Sequence, residues 1–296
     1  MFSEILFDYL KNYVSESGDD LGCLDVVRDF YEIKTEKESK MYGKPKGKYE
    51  LIGIPDILTL GKLEIDKCVS VVSSAISGML GDITTDDRVL VVGLGNRHIS
   101  SDSLGAKVVG CVNITIENKL LPKVMAIAPS VMGLTGIETV DIVSGVVDKV
   151  HPTHVILIDS LCASSVERLG RSIQITNTGI CPGGGIGNKR KCIGDNLASK
   201  VVTIGVPLLI YASTFVRETL RKNGVEIDNV NSIMRSIKKS PNKDNIESLF
   251  AGVKSAIDDD VEGLIVSIKD IEESVQLLSE IIGKAINRSL GVEEYY

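Results

Sequence analysis

The sequence contains no tryptophan, and aromatic residues make up only 4% of its 296 residues. Few aromatic side chains leave few surfaces on which nucleic acid bases can stack. The formal net charge of -7 also disfavours phosphate binding, which needs a basic field. We therefore expect no direct contact with nucleic acid.

Long hydrophobic runs are also missing. The most apolar stretch, residues 201–215, is interrupted by Gly205 and Pro207, whereas a membrane-spanning helix needs about 20 apolar residues. The N-terminal residues lack the basic segment of a signal peptide. These features predict a cytoplasmic protein that makes no membrane contact.

Motifs for metal binding are absent as well. The six cysteines form no Cys-x-x-Cys pair, and the three histidines are His98, His151 and His154. His151 and His154 precede an apolar run typical of a strand, so they cannot form a pair of ligands on one helix, and no His-Glu-x-x-His motif is present. We expect no metal site.

Two glycine-rich segments resemble nucleotide-binding loops but lack essential residues. Gly93-Leu-Gly95 lacks the third glycine of the dinucleotide fingerprint, and the second segment lacks the Gly-Lys-Ser/Thr ending of a P-loop. We expect no cofactor. The second segment contains Gly183, Gly184, Gly185 and Gly187, whose backbone N–H groups are candidates for binding a peptide substrate or an oxyanion. A tight loop joining a strand to a helix is the alternative.

Short apolar runs alternate with helix-like stretches through the centre of the chain. The runs lie at 88–94, 124–127, 153–158, 172–175 and 200–206, and the helix-like stretches lie near 62–80, 103–113, 138–149 and 160–169. Such alternation is typical of a parallel sheet covered on both faces. We predict the α/β class, with a parallel or mostly parallel sheet and helices on both faces. A long amphipathic helix is predicted at 266–290, introduced by a capping box from Ser267 to Asp270.

Two aspartates fall where an open α/β sheet binds ligands, beyond the carboxyl ends of its strands. Asp159 is predicted to end the strand at 153–158, and Asp102 to begin the helix after the run at 88–94. Two nearby carboxyl groups cannot both ionise at low cost, so one pKa rises. The ionised group can then activate water while the protonated one polarises a carbonyl. The alternative is that each aspartate is a helix N-cap.

Six longer segments carry more specific motifs. They are Val91-Val-Gly-Leu-Gly-Asn96, Asp102-Ser-Leu-Gly105, Ala126-Ile-Ala-Pro-Ser-Val-Met-Gly-Leu-Thr-Gly-Ile-Glu-Thr139, Ile156-Leu-Ile-Asp-Ser-Leu-Cys-Ala163, Ile173-Gln-Ile-Thr-Asn-Thr-Gly179 and Pro182-Gly-Gly-Gly-Ile-Gly-Asn-Lys-Arg190. In this order they resemble the germination protease family of endospore-forming bacteria. The resemblance covers about residues 42–206 and returns in the last helix, near 264–290.

The resemblance implies an atypical aspartic endopeptidase that degrades small acid-soluble spore proteins during germination. It implies a homotetramer made as a zymogen in the forespore or spore core, and a fold similar to the phosphorylase/hydrolase-like fold of the hydrogenase-maturation endopeptidases. The two proposed catalytic aspartates of the family match Asp102 and Asp159. A metal-dependent maturation-type peptidase and a non-catalytic sporulation-associated paralogue remain the alternatives.

The resemblance also suggests how one domain of 1–296 is divided. Residues 1–41 are predicted to be an N-terminal extension or pro-region, 42–223 the core, and 224–296 a helical C-terminal part. The extension carries an apolar stripe from Ile5 to Tyr13 and no clear processing motif. We favour an ordinary packed helix for this stripe over an inhibitory segment, because amphipathic patterns usually report burial.

Overall fold

The computed structural model describes residues 27–180, 193–194, 197–222 and 264–293. Its strands are β1 (Arg28–Ile33), β2 (Gly47–Gly53), β3 (Arg88–Gly93), β4 (Lys123–Ile127), β5 (His154–Ala163), β6 (Ser172–Thr176), β7 (Lys200–Tyr211) and β8 (Ile265–Ser267). Its α-helices are α1 (Glu36–Tyr42), α2 (Lys62–Leu80), α3 (Leu104–Val109), α4 (Met132–Thr135), α5 (Thr139–Val150), α6 (Ala212–Lys222) and α7 (Ile271–Ser289).

The eight strands form one mixed sheet in the order β1-β2-β6-β7-β5-β3-β4, with β8 paired to β7. The four strands β7, β5, β3 and β4 are parallel to their neighbours in this group. β6 pairs antiparallel with β7, β2 with β6, and β1 with β2. The predicted α/β class is confirmed, with parallel pairing from β7 to β4 in one half of the sheet and antiparallel pairing from β1 to β7 in the other.

Helices cover both faces of the parallel strands, as predicted. On one face, Val91, Ile156 and Val202 pack with side chains from α2, α3 and α7. On the other face, Val92 and Leu157 pack with side chains from α5. Burial on both faces explains why these strands are apolar at almost every position.

Strand β5 is longer than predicted. It continues past Asp159 to Ala163 because β7 also continues, to Tyr211, and supplies backbone partners through a register shift at Leu161 and Cys162. The helix predicted at 160–169 is therefore wrong: its residues belong to β5 and to a 3-10 turn at Val166–Arg168.

The last helix begins later than predicted, at Ile271. Ser267 belongs to β8, where it pairs with Leu209. Asp270 occupies the N-cap position in a left-handed conformation, and its side chain makes no capping hydrogen bond. The predicted capping box is wrong because the end of β7 holds Ser267 in the sheet.

The structure describes only part of the predicted N-terminal extension and of the predicted C-terminal part. β1 lies within the predicted extension 1–41, yet it pairs with β2 from Arg28 to Ile33. The stripe from Ile5 to Tyr13 and the segment 224–263 lie outside the described residues. The division at 41 and 223 stays a prediction, as does the likeness to the hydrogenase-maturation endopeptidases.

Candidate active site

Asp159 lies where the two neighbours of β5 separate. β3 ends at Gly93, opposite Ile158, and the N–H of Leu94 donates to the Ile158 carbonyl at 2.8 Å. On its other side β5 continues, with Asp159 paired to Gly205 of β7. Asp159 is buried, with 7% of its surface exposed. It therefore occupies the carboxyl edge of the parallel strands, although it does not end its own strand.

Asp102 reaches the same edge through a tight loop after β3. It is the last residue of a 3-10 turn at Ser100–Asp102. Its N–H donates to the Ile99 carbonyl at 2.8 Å, and its Oδ2 accepts from the backbone N–H of Asn96 at 2.8 Å. These bonds turn the loop back on itself: one holds the backbone of Asp102 and the other holds its carboxylate.

Three glycines allow this loop to fold so closely. A Cβ at Gly93 would collide with the backbone of Gly105, and a Cβ at Gly95 with the backbone carbonyl of Asp102. Gly95 also has a φ of +98°, which other residues rarely adopt. The segment that fails as a nucleotide motif thus has a structural role: it brings Asp102 against the end of β3.

The two aspartates interact electrostatically. Burial, and after it the negative charge of Asp102, raises the pKa of Asp159 to about 8, while the Ser160 N–H, which donates to Oδ1 at 2.9 Å, opposes the rise. At neutral pH Asp159 therefore holds a proton beside the charged Asp102. Two carboxyl groups in these states can supply an acid and a base.

The N-cap interpretation does not hold for either aspartate. Asp159 lies inside β5 and precedes no helix directly. The N-cap of α3 is Ser103, one residue after Asp102. Neither carboxyl group is explained by a capping role, which strengthens the case for a chemical one.

The predicted substrate-binding glycines Gly183, Gly184, Gly185 and Gly187 lie outside the described residues. The residues flanking their segment pair with each other: Ile180 and Ile193 exchange hydrogen bonds at 2.8 and 2.7 Å. Both pack in the cluster that contains Leu157, which shares a face of β5 with Asp159.

From the sequence, these glycines are expected to face the same crevice as the aspartates, because they follow a neighbouring strand at the same edge of the sheet. That argument assumed that the preceding strand runs parallel to its neighbours, but β6 is antiparallel to β7, so its carboxyl end lies at the opposite edge. That the glycines face the aspartates stays a prediction.

Two residues near the pair were not singled out from the sequence. Asn96 donates its N–H to Asp102, and its place after Gly95 is typical of a turn. Ser160 follows Asp159, and its Oγ is buried without a hydrogen-bond partner among the described residues. No sequence signal distinguishes Ser160 from other serines in strands.

The histidines lie apart from one another. His154 is buried at the amino end of β5, with Nδ1 2.8 Å from Thr153 Oγ1 and 3.5 Å from Asp87 Oδ1. His98 is exposed on the Asp102 loop, and His151 ends α5 in a left-handed conformation. Among the described residues, no group of three or more His, Cys, Asp or Glu side chains is arranged to hold a metal ion.

Comparison with known proteins decides the family. The family model described as "Germination protease" matches residues 24–243. The chain belongs to the germination protease family. Curated germination proteases similar to it include one from Caldanaerobacter subterraneus subsp. tengcongensis, which is 36% identical over 272 residues, or 88% of this chain and 83% of the relative. One from Clostridium perfringens is 34% identical over 88% of this chain and 82% of the relative. One from Clostridium acetobutylicum is 31% identical over 93% and 90%.

Membership in the germination protease family makes the chain a peptidase, rather than the non-catalytic paralogue considered from the sequence. It confirms the resemblance drawn from the six motifs. The part of the chain that the structure describes holds no helix long and apolar enough to cross a membrane.

Proposed function

We propose that this germination protease is an endopeptidase that cleaves small acid-soluble spore proteins during spore germination, with Asp102 and Asp159 as its catalytic pair. The observation that carries the proposal is the buried Asp159, whose pKa is raised to about 8 by its burial and by the charge of Asp102. Such a pair supplies a general acid and a general base at one edge of the sheet.

The chemistry assigns one role to each carboxyl group. Asp102 accepts a proton from water as the water oxygen attacks the carbonyl carbon of the peptide bond. Asp159 donates a hydrogen bond to the carbonyl oxygen and stabilises the charge that develops there. When the tetrahedral intermediate collapses, the C–N bond breaks and the proton held by Asp102 passes to the leaving amine. The glycines of residues 183–187 are proposed to bind the substrate backbone, and the enzyme acts as a homotetramer in the forespore or spore core.

Asp102→Asn is expected to lower the rate of cleavage by at least about 10²-fold, because an amide cannot accept the proton of the attacking water. The measurement is degradation of a purified small acid-soluble spore protein, followed on gels. Asp148→Asn makes the same chemical change on the exposed surface of α5 and should cleave at the wild-type rate.

The same assay separates a mechanism in which Asp102 and Asp159 act as base and acid, here called the acid pair, from the mechanism of a metal-dependent peptidase. Cleavage that persists in chelator supports the acid pair. Cleavage that is lost in chelator and restored by a divalent ion contradicts it, and then Asp102 and Asp159 are ligands. Full activity of a folded Asp102→Asn protein contradicts both mechanisms.

Removal of residues 1–15 is expected to lower the Tm without raising the rate of cleavage, because an apolar stripe such as that from Ile5 to Tyr13 usually packs against a core. The measurements are thermal unfolding and the cleavage assay on the full and shortened chains. A gain in cleavage with an unchanged Tm would show that the segment is an inhibitory pro-region.

A further inference from the structure

The loop that carries Asp102 is organised around one side chain. Oδ1 of Asn96 accepts from the N–H of His98 at 3.0 Å, and the Asn96 carbonyl accepts from the N–H of Ile99 at 3.1 Å. The backbone N–H of Asn96 is the group that donates to Asp102 Oδ2, at 2.8 Å. Asn96 therefore fixes the loop on one side and contacts the carboxylate on the other.

Gly95, the residue before Asn96, cannot fix the direction in which the Asn96 N–H points. Gly95 permits the left-handed turn, with a φ of +98°, but glycine adopts many other conformations at little cost. An Asn side chain bonded to the N–H two residues later holds the backbone in one turn. The direction of the Asn96 N–H thus depends on the bond that its own side chain makes to His98.

We propose that Asn96 is a positioning residue. Its side chain fixes the backbone N–H that binds the Asp102 carboxylate, and so holds that carboxylate beside Asp159. The proposal rests on the proposed function, in which Asp102 is the base. It assigns Asn96 no contact with the substrate. A loop in which this side chain only adds stability is the alternative.

The chain contains a matched control for that alternative. Oδ1 of Asn118 accepts from the N–H of Leu120 at 2.8 Å, the same bond to the residue two positions later. Asn118 precedes β4 and so lies towards the amino ends of the parallel strands, away from the acid pair. Asn118→Ala and Asn96→Ala remove the same kind of bond, but only the second removes it beside Asp102.

The first measurement is the rate of cleavage of a purified small acid-soluble spore protein. Asn96→Ala is expected to lower kcat by about 10²-fold, the cost typical of a catalytic group misplaced by about 1 Å. Asn96→Ser should restore part of the rate, because a serine hydroxyl makes the same turn more weakly. Asn118→Ala should cleave at the wild-type rate while its Tm falls as much as that of Asn96→Ala.

The second measurement needs no activity. The charge of Asp102 helps to raise the pKa of Asp159, so the fall in stability between pH 5 and pH 8 should be smaller in Asn96→Ala than in wild type. It should be unchanged in Asn118→Ala. The other titratable or charged groups near the loop stay the same in every variant: Arg97 and His98 on the loop, Lys107 on α3, and Glu272 of α7, which accepts from Ser100 Oγ at 3.0 Å.

The two measurements separate failure of this inference from failure of the proposed function. If Asp102→Asn is inactive but Asn96→Ala cleaves at the wild-type rate, the positioning role is wrong and the acid pair stands. If Asp102→Asn is active, the acid pair is wrong, and the pH dependence of stability still tests whether Asn96 holds Asp102. Equal pH dependence in Asn96→Ala and wild type overturns the inference. If Asn96→Ala does not fold, Asn96→Ser gives the same two readings.

Discussion

Asp159→Asn is expected to abolish cleavage and, at neutral pH, to increase the free energy of unfolding. An amide N–H is a much weaker acid than a carboxylic acid, so it stabilises the charge that develops on the carbonyl oxygen less well, and loss of such an acid typically costs about 10²–10⁴-fold in rate. The same substitution removes an ionisable group from a buried position, where 7% of its surface is exposed. Activity and stability should therefore change in opposite directions.

The sign of the stability effect follows from the pKa of Asp159. Folding raises this pKa from an ordinary 3.8 to about 8, so the native state binds a proton that the unfolded state has already lost. Stability from this group is fully present below about pH 4 and is lost as the pH rises towards 8, by up to about 1.4 kcal/mol per pH unit. The amide in Asp159→Asn does not titrate, so the variant should escape this loss.

Urea unfolding at pH 5 and pH 8 measures the effect, with cleavage followed over the same range. Wild-type cleavage should decline above about pH 8, where Asp159 loses its proton. The exposed control Asp148→Asn should match wild type in both assays. Near-normal proteolysis by folded Asp159→Asn protein would exclude the acid pair, and parallel stability curves would show that Asp159 is not protonated in the native state.

The position of the acid pair could be predicted because it depends on local features. The apolar runs at 88–94 and 153–158 indicate two buried strands, and parallel strands end at a common edge. Asp102 and Asp159 each follow one of these runs. No knowledge of the other strands was needed to place both side chains on one edge.

The course of β5 and β6 could not be predicted in this way, because it depends on partners distant in sequence. β5 continues to Ala163 only because β7 continues beside it. β6 runs antiparallel to both of its neighbours, β2 and β7, and an alternating segment carries no signal of direction. The argument that placed the glycines at 183–187 beside the aspartates assumed the opposite direction for β6.

The role of Gly95 could not be predicted from the sequence either, because a glycine is required there by a contact with Asp102, further along the chain. Comparison with nucleotide motifs showed only that Gly93 and Gly95 do not belong to a dinucleotide-binding fingerprint. The structure shows that the space a side chain would need at Gly95 is filled by Asp102, whose Oδ1 would lie 2.8 Å from an added Cβ. The close approach of Asp102 to Gly95 gives this glycine a packing role rather than a ligand-binding one.

Gly95→Ala should therefore lower the rate of cleavage by at least about 10²-fold. Two effects act together: an alanine at a φ of +98° is strained by about 1–2 kcal/mol, and its Cβ displaces the backbone and carboxylate of Asp102. Gly291→Ala separates the backbone strain from the displacement of Asp102. Gly291 has a φ of +68° with no atom within 4 Å of an added Cβ, so it imposes the strain and moves nothing. Gly95→Ala should lose more stability than Gly291→Ala in urea unfolding, because the collision adds to the strain, and only Gly95→Ala should lose cleavage. If both cleave at the wild-type rate, the catalytic base does not require the close approach that glycine permits. If both lose cleavage equally, backbone strain alone accounts for the loss, and the geometry of the Asp102 loop is not what the enzyme depends on.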